Sequence, residues 1–144
     1  MKTWILVADE ARARLFEAGQ ADGGWVERQS FVHPEGRQHA RDVVAGHLPR
    51  TQDSVGSGRH AIEPHTDLET VEARRFAREL ATRLEQGRVA QAFQRLALVA
   101  PPRFLGVLHA TLGDAVERLV VASLSKAVTR ESPEELRERL RGLL

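Results

Sequence analysis

The sequence contains no cysteine and no tyrosine, and aromatic residues make up only 5% of its 144 residues. Without cysteine the chain has no disulfide, no thiolate zinc site and no cysteine nucleophile. So few aromatic rings also argue against a platform on which single-stranded bases stack. An excess of one charge is lacking as well, because 21 Lys and Arg are balanced by 20 Asp and Glu, for a net charge of +1. The chain therefore has no overall basic field that would hold nucleic acid by charge alone.

A long uncharged segment is also missing. The first apolar run, Trp4 to Ala8, is followed directly by Asp9 and Glu10. A signal peptide needs a longer uncharged core, and a membrane helix needs about 20 apolar residues. We therefore expect a cytoplasmic protein with no membrane partner. The length fits one compact domain over residues 1–144, and the sequence leaves its oligomeric state open.

The beginning of the chain has the pattern of three consecutive strands. The continuous apolar run Trp4–Ala8 is typical of a central strand that is buried on both faces. In Ala11–Ala18 apolar and charged residues alternate, and Trp25–Val32 follows a turn rich in glycine. Three strands with short connections favour an antiparallel meander.

The second half of the chain alternates between helical and strand patterns. Thr66 and Glu69 have capping-box spacing, which predicts a helix from there to a terminator at Gly87. The predicted apolar stripe of this helix is Ala73, Phe76, Ala77, Leu80 and Leu84. A capping box at Ser132–Glu135, with proline at the first helical position, predicts a C-terminal helix with an apolar side that includes Leu143. The remaining predicted elements are a strand over Leu96–Ala100, a helix opening at Pro101 and a strand over Leu119–Leu124.

The order of these elements predicts an α/β protein. The last two strands are separated by a helix, so we expect them to be parallel. The predicted architecture is a mixed five-stranded sheet, a three-strand antiparallel meander plus two parallel strands, with flanking helices.

A polar stretch from His33 to His65 interrupts this pattern and holds five of the six histidines. Loops of this length inside a compact domain are usually functional or disordered. Glycines let backbone amides approach an anion closely, and arginine offers a bidentate fork for phosphate. The alternative is a solvated loop in which four arginines and four acids cancel. The candidate RNA or anion contacts of the stretch are Arg37, Arg41, Arg50, Gly56, Ser57, Gly58, Arg59 and His60.

A second candidate site lies at the carboxyl ends of the strands, where open α/β sheets usually bind ligands. Asp9 follows the first strand, and Arg103 begins a helix beside free amides that favour an anion. An ion pair between Asp9 and Arg103, joining strand to helix, is the structural alternative. A ligand pocket at this edge would combine residues of the hairpin and of the polar stretch, namely Asp9, His33, Glu35, His39 and Asp53.

Catalytic and metal-binding patterns are weak. The histidines lack helical zinc spacing, so we expect no metal and no cofactor. A ribonuclease-H-type nuclease needs three or four carboxylates, and only Asp9 has a suitable position. No serine lies on a Gly-x-Ser-x-Gly elbow, and His109 is interpreted as a packed or surface residue. No catalytic residue is assigned.

Seven runs of residues along the chain together form a recognisable set. They are Trp4–Asp9, Ala11–Phe16, His33–Arg37, Gly58–Ala61, Glu63–Pro64, Arg75–Leu80 and Leu98–Gly106. These runs resemble the bacterial host-attachment protein family, which is named for a requirement in attachment to host cells, and the resemblance covers nearly the whole chain. It implies similarity to the central domain of archaeal and eukaryotic peptide-chain release factors and of pelota, and a ribonuclease-H-like sheet.

The resemblance also bears on activity. In release factors a Gly-Gly-Gln loop precedes a helix that Arg75–Arg78 matches, but here Gly56–His60 occupies that loop and the glutamine is absent. Release needs that glutamine to position a water, so the resemblance implies an RNA- or ribosome-associated domain that binds without cleaving, with the ribosome or tRNA as partner. Two other hypotheses stay open. One is an enzyme or sensor for a small phosphorylated ligand, and the other is a cytoplasmic adaptor with an indirect role in attachment.

Overall fold

The computed structural model describes residues 1–19, 24–34 and 58–144, and for residues 58–67 and 69 it describes the backbone alone. The predicted contacts and pocket residues between 35 and 57 lie outside this part of the chain. The elements, in chain order, are strands β1 (Thr3–Ala8), β2 (Arg12–Ala18) and β3 (Trp25–Val32), helix α1 (Gly58–Val89), strand β4 (Arg95–Ala100), helices α2 (Pro102–Thr111) and α3 (Asp114–Glu117), strand β5 (Val120–Ser125) and helix α4 (Pro133–Leu140).

The five strands form one open mixed sheet in the order β3-β2-β1-β4-β5. The pairs β1–β2 and β2–β3 are antiparallel, as the predicted meander requires. The pairs β1–β4 and β4–β5 are parallel, so the prediction of two parallel strands at the end of the chain is confirmed. The mixed α/β architecture is therefore confirmed, and β1 lies at the point where the antiparallel and parallel halves join.

Two apolar layers cover the sheet. All six residues of β1 are buried, because alternate side chains enter opposite layers. On one face Trp4 and Leu6 pack with α1 and α2, and the stripe predicted for α1 is buried there. On the other face Ile5 and Val7 pack with α4. The residues of the α1 stripe are Ala73, Phe76, Ala77, Leu80 and Leu84.

Helix α1 is longer than predicted at both ends. It begins at Gly58, so residues 58–65 are helical and the capping box proposed at Thr66 is wrong. Arg59, Ala61 and Glu63 are compatible with a helix, whereas Pro64, the seventh residue of α1, lacks the amide that would bond to residue 60 and locally disfavours the helix. Gly87 does not end the helix, which continues to Val89.

Helix α4 begins as the sequence predicts. The Ser132 hydroxyl accepts a hydrogen bond from the Glu135 amide at 3.1 Å, and the Glu135 carboxylate accepts one from the Ser132 amide at 2.9 Å. Leu136 and Leu140 are buried, whereas Leu143 is exposed because the helix ends at Leu140. Within the described residues no helix combines the length and the apolar content needed to cross a bilayer.

Candidate functional site

Asp9 is part of the turn that joins β1 and β2. Its Oδ1 accepts hydrogen bonds from the Ala11 amide at 2.8 Å and the Arg12 amide at 2.9 Å, and its Oδ2 accepts one from the Thr129 hydroxyl at 2.7 Å. These bonds satisfy the turn and connect it to the segment before α4. Asp9 therefore has a structural role, and the ion pair considered between Asp9 and Arg103 is not among the contacts of the described chain.

Arg103 lies instead where α2 faces α1. Its Nη2 donates to the Thr70 hydroxyl on α1 at 3.3 Å. The two helices border a cavity of about 530 Å³ at this point. We call this cavity the α1–α2 groove, and its lining residues are Thr70, Arg74, Arg78, Arg103, Gly106, Val107, Ala110 and Thr111.

The α1–α2 groove is cationic. Arg74 and Arg78 are exposed on α1 at i,i+4 spacing, about 6 Å apart along the helix axis. They make no hydrogen bond or ion pair with any residue that the structure describes. None of the described residues that line the groove is acidic. Like charges at this spacing slightly destabilise a helix, and a bound anion would relieve their repulsion.

The groove continues along α1 into a second cavity of about 820 Å³. Arg78 and Thr111 line both cavities. The continuation contains Glu85 and Asp114, so its charge is mixed. Arg88 donates to Glu85 from Nε and Nη2, each at 2.7 Å, and these hydrogen bonds lower the pKa of Glu85. The positive charge is therefore concentrated at the Arg74–Arg103 end.

His33 lies at the end of β3 against the same helix. Its buried ring stacks on Phe76 with centroids 5.1 Å apart, and its Nε2 is 3.8 Å from Oε1 of Glu72. Arg75 reaches the same carboxylate oxygen at 3.4 Å. His33 thus anchors the beginning of the polar stretch to α1. Within the described ranges, no three histidines or acids are close enough together to hold a metal ion.

The structure brings few of the predicted site residues together. Asp9 and His33 belong to separate contacts, one in a turn and one against α1. Gly58, Arg59 and His60 form the first turn of α1, where only the backbone is described. The predicted residues Glu35, Arg37, His39, Arg41, Arg50, Asp53, Gly56 and Ser57 lie outside the described residues.

Sequence reasoning missed Arg74 and Arg78 as site residues. Arg78 belongs to the run Arg75–Leu80 that marks the family resemblance, and Arg74 directly precedes it, but the approach of α2 to this face of α1 cannot be deduced from that run. A helical projection of α1 would have placed the two arginines on one side, outside the apolar stripe.

His109 was also missed. Its Nδ1 is 2.6 Å from Oε1 of Glu117, and its Nε2 is 3.0 Å from the Ser123 hydroxyl. Histidine here is neither packed in the core nor isolated on the surface. It connects α2, α3 and β5 through two side-chain contacts.

The chain was compared with known proteins. A family model described as "Protein required for attachment to host cells" matches residues 4–140. No curated protein matches the chain. The family match covers every strand and helix of the structure except the first residue of β1, Thr3.

Proposed function

The chain belongs to the family of proteins required for attachment to host cells, and from that premise we propose that it binds the phosphate backbone of RNA through the α1–α2 groove. In this proposal the protein acts in the cytoplasm, associates with tRNA or the ribosome, and cleaves nothing at the groove. Its role in attachment would then be indirect, through the RNA that it binds.

The cationic lining of the groove carries the proposal. Three arginines, Arg74, Arg78 and Arg103, converge from two helices on one concave surface without an acidic residue among its described lining. Guanidinium groups bind phosphate oxygens in bidentate fashion, and they keep their charge at every physiological pH. The Thr111 hydroxyl donates to the Val107 carbonyl at 2.6 Å, so its oxygen is left to accept a hydrogen bond from a ribose hydroxyl.

The charge balance of the whole chain sets the expected strength of binding. With a net charge of +1, nonspecific attraction to RNA is small away from the groove. Affinity therefore depends on a few contacts, and it decreases as salt rises because those contacts displace counterions.

The test compares two double variants with the same change in net charge. Arg74→Gln with Arg78→Gln removes charge from the groove. Arg118→Gln with Arg137→Gln removes it from exposed positions elsewhere. Binding of fluorescently labelled tRNA and of a single-stranded RNA is measured by polarisation over a series of salt concentrations.

We expect the groove variant to bind at least about tenfold more weakly and the control variant to bind like the wild type. For single-stranded RNA, the slope of log affinity against log salt should flatten by about 0.7 for each phosphate contact removed. Equally weakened RNA binding in both variants would show that affinity depends on the net charge of the protein and not on the groove. Absence of RNA binding by the wild type at low salt would overturn the proposal.

The size of the groove favours a second candidate. A cavity of about 530 Å³ lies within the range of small-molecule sites, so a phosphorylated metabolite is an alternative occupant. The test is a panel of nucleotides and sugar phosphates. The matching ligand should stabilise the fold by about 2.7 kcal/mol when it is present at 100 times its dissociation constant. Arg74→Gln with Arg78→Gln should abolish that shift in melting temperature. RNA binding without any such stabilisation would favour the first candidate.

A further inference from the structure

We propose that Ser123, His109 and Glu117 form a relay of nucleophile, base and orienting carboxylate that hydrolyses acyl esters. This activity is independent of RNA binding at the groove, because it depends on a different set of side chains. The relay is assembled from three separate elements, β5, α2 and α3. No Gly-x-Ser-x-Gly elbow is required, since such relays are recognised by geometry and not by sequence position.

The hydrogen-bond distances define the role of each side chain. An ionised carboxylate only accepts hydrogen bonds, so Glu117 Oε1, 2.6 Å from Nδ1, places the imidazole proton on Nδ1. The other nitrogen, Nε2, then carries the lone pair and faces the Ser123 hydroxyl at 3.0 Å. Histidine is thus oriented as a base toward serine, with glutamate able to stabilise the imidazolium that would form.

The neighbouring packing holds the three groups in place. Leu108 is fully buried beside His109, and Val116 is 1% exposed beside Glu117. Ser123 lies between Ala122 and Leu124, which pack on the opposite layer of the sheet. The second oxygen of Glu117, Oε2, is buried and has no hydrogen-bond partner in the described structure. Catalytic groups on packed helices and strands hold their geometry better than groups on loops.

The relay is open to a substrate from outside. The His109 side chain is 34% exposed, and Ser123 is exposed on β5. Within the described sheet β5 is an edge strand, so one side of its backbone has no neighbouring strand. The Lys126 amide donates to Ala100 on β4. Because amide direction alternates along a strand, the amides of Ser123 and Ser125 point toward the free edge.

The Ser123 amide can stabilise the oxyanion of an ester, whereas the Ser125 amide is about 6.6 Å further along the strand and too far away to donate to the same oxygen. Ser123 Oγ attacks the carbonyl carbon while its proton moves to His109 Nε2, and the carbonyl oxygen becomes an oxyanion beside the Ser123 amide. The carbon–oxygen bond of the leaving alcohol then breaks, and His109 returns the proton to that alcohol. Water repeats the sequence on the acyl-serine. The net reaction converts an ester and water into an acid and an alcohol, and the relay is restored.

The first test uses a fluorophosphonate probe, which forms a phosphorus–oxygen bond to an activated serine and loses fluoride. Intact mass and peptide mapping should locate one adduct on Ser123 of the wild type. Ser123→Ala should remove it, whereas Ser125→Ala, a change of the exposed serine two residues along the same strand, should keep it. Circular dichroism of each variant confirms that the fold is retained.

The second test separates catalysis from a structural contact. His109→Ala and Glu117→Gln should slow both labelling and hydrolysis of p-nitrophenyl acetate by about 100-fold. The groove variant Arg74→Gln with Arg78→Gln should label at the wild-type rate, so failure of RNA binding would leave this result unchanged. Equal labelling of the wild type and Ser123→Ala, no labelling at all, or an unchanged rate in His109→Ala would each overturn the proposal.

Discussion

Gly87 lets α1 pack closely on the sheet. A Cβ atom at this position would lie 2.5 Å from two ring carbons of Trp4 and 3.1 Å from Phe93. Both rings are buried and stack on each other with centroids 4.6 Å apart, so neither can move aside freely. Glycine at residue 87 therefore serves close helix–sheet contact and not helix termination.

Replacement of Gly87 by alanine should destabilise the fold by about 1–3 kcal/mol, because overpacking outweighs the better helix propensity of alanine. Urea unfolding followed by circular dichroism measures the loss. Gly106→Ala is the matched control, since nothing lies within 4 Å of its Cβ position on α2. It should be neutral or slightly stabilising, and an equally stable Gly87→Ala protein would contradict the packing argument.

Asp9 provides a second prediction at the residue scale. Asp9→Ala should lower the free energy of unfolding by about 1–2 kcal/mol, because two backbone amides of the turn and the Thr129 hydroxyl lose their acceptor. Asp9→Asn retains an acceptor oxygen and should be closer to the wild type. RNA polarisation on both variants is the check on function. A decrease in RNA affinity without a decrease in the free energy of unfolding would show that Asp9 contributes to RNA binding.

At the scale of elements, α4 is attached to its preceding segment by an ion pair. Arg139 donates from Nε and Nη2 to the two carboxylate oxygens of Glu131, each at 2.6 Å. These hydrogen bonds lower the pKa of Glu131 below its ordinary value of 4.5. Arg14 from β2 donates to the Glu131 carbonyl at 2.6 Å, so the same segment is also held to the sheet.

This ion pair predicts a pH dependence. A lowered carboxylate pKa means that the pair stabilises the folded state at pH above 4.5 and loses that effect as pH falls through the lowered pKa. Arg139→Gln should raise the pKa of Glu131 toward its ordinary value, measured by NMR titration of the carboxyl carbon. Arg141→Gln, which removes the separate pair with Glu138, should leave it unchanged. An unaltered Glu131 titration in Arg139→Gln would contradict the assignment.

At the scale of the whole molecule, the sheet separates two apolar layers that contain one tryptophan each. Trp4 packs with α1, and Trp25 packs against Phe16 on the α4 side. The two tryptophans therefore report on opposite faces of one sheet. A chain that unfolds as a single cooperative unit must lose both layers together.

Two single-tryptophan variants test this cooperativity. In Trp25→Phe the fluorescence reports on the α1 layer, and in Trp4→Phe it reports on the α4 layer. Within each variant, fluorescence and far-ultraviolet circular dichroism should give the same urea midpoint, although Trp4→Phe will be less stable overall because it shrinks a buried ring. If fluorescence and circular dichroism give different urea midpoints within one variant, the two layers unfold as separate units.

The sequence predicted the elements better than their relations. All five strands, the cap of α4 and the apolar stripe of α1 follow from patterns within a few neighbouring residues, and the structure confirms them. The predicted beginning of α1 was wrong because the polar and proline-containing residues 58–65 resemble a loop locally. The predicted end was wrong because Gly87 serves close packing against Trp4, far away in the chain, and does not end the helix.

The candidate sites depended on tertiary structure. Sequence alone determined the charge balance, the lack of thiol chemistry and the mixed α/β sheet. Only the folded chain joined Arg103 to Thr70, 33 residues away, and placed His109 between Glu117 and Ser123. Local patterns depend on helix and strand periodicity, which acts over one or two turns. A binding or reactive site depends on side chains that meet across elements, and this proximity is decided by how the helices pack on the sheet.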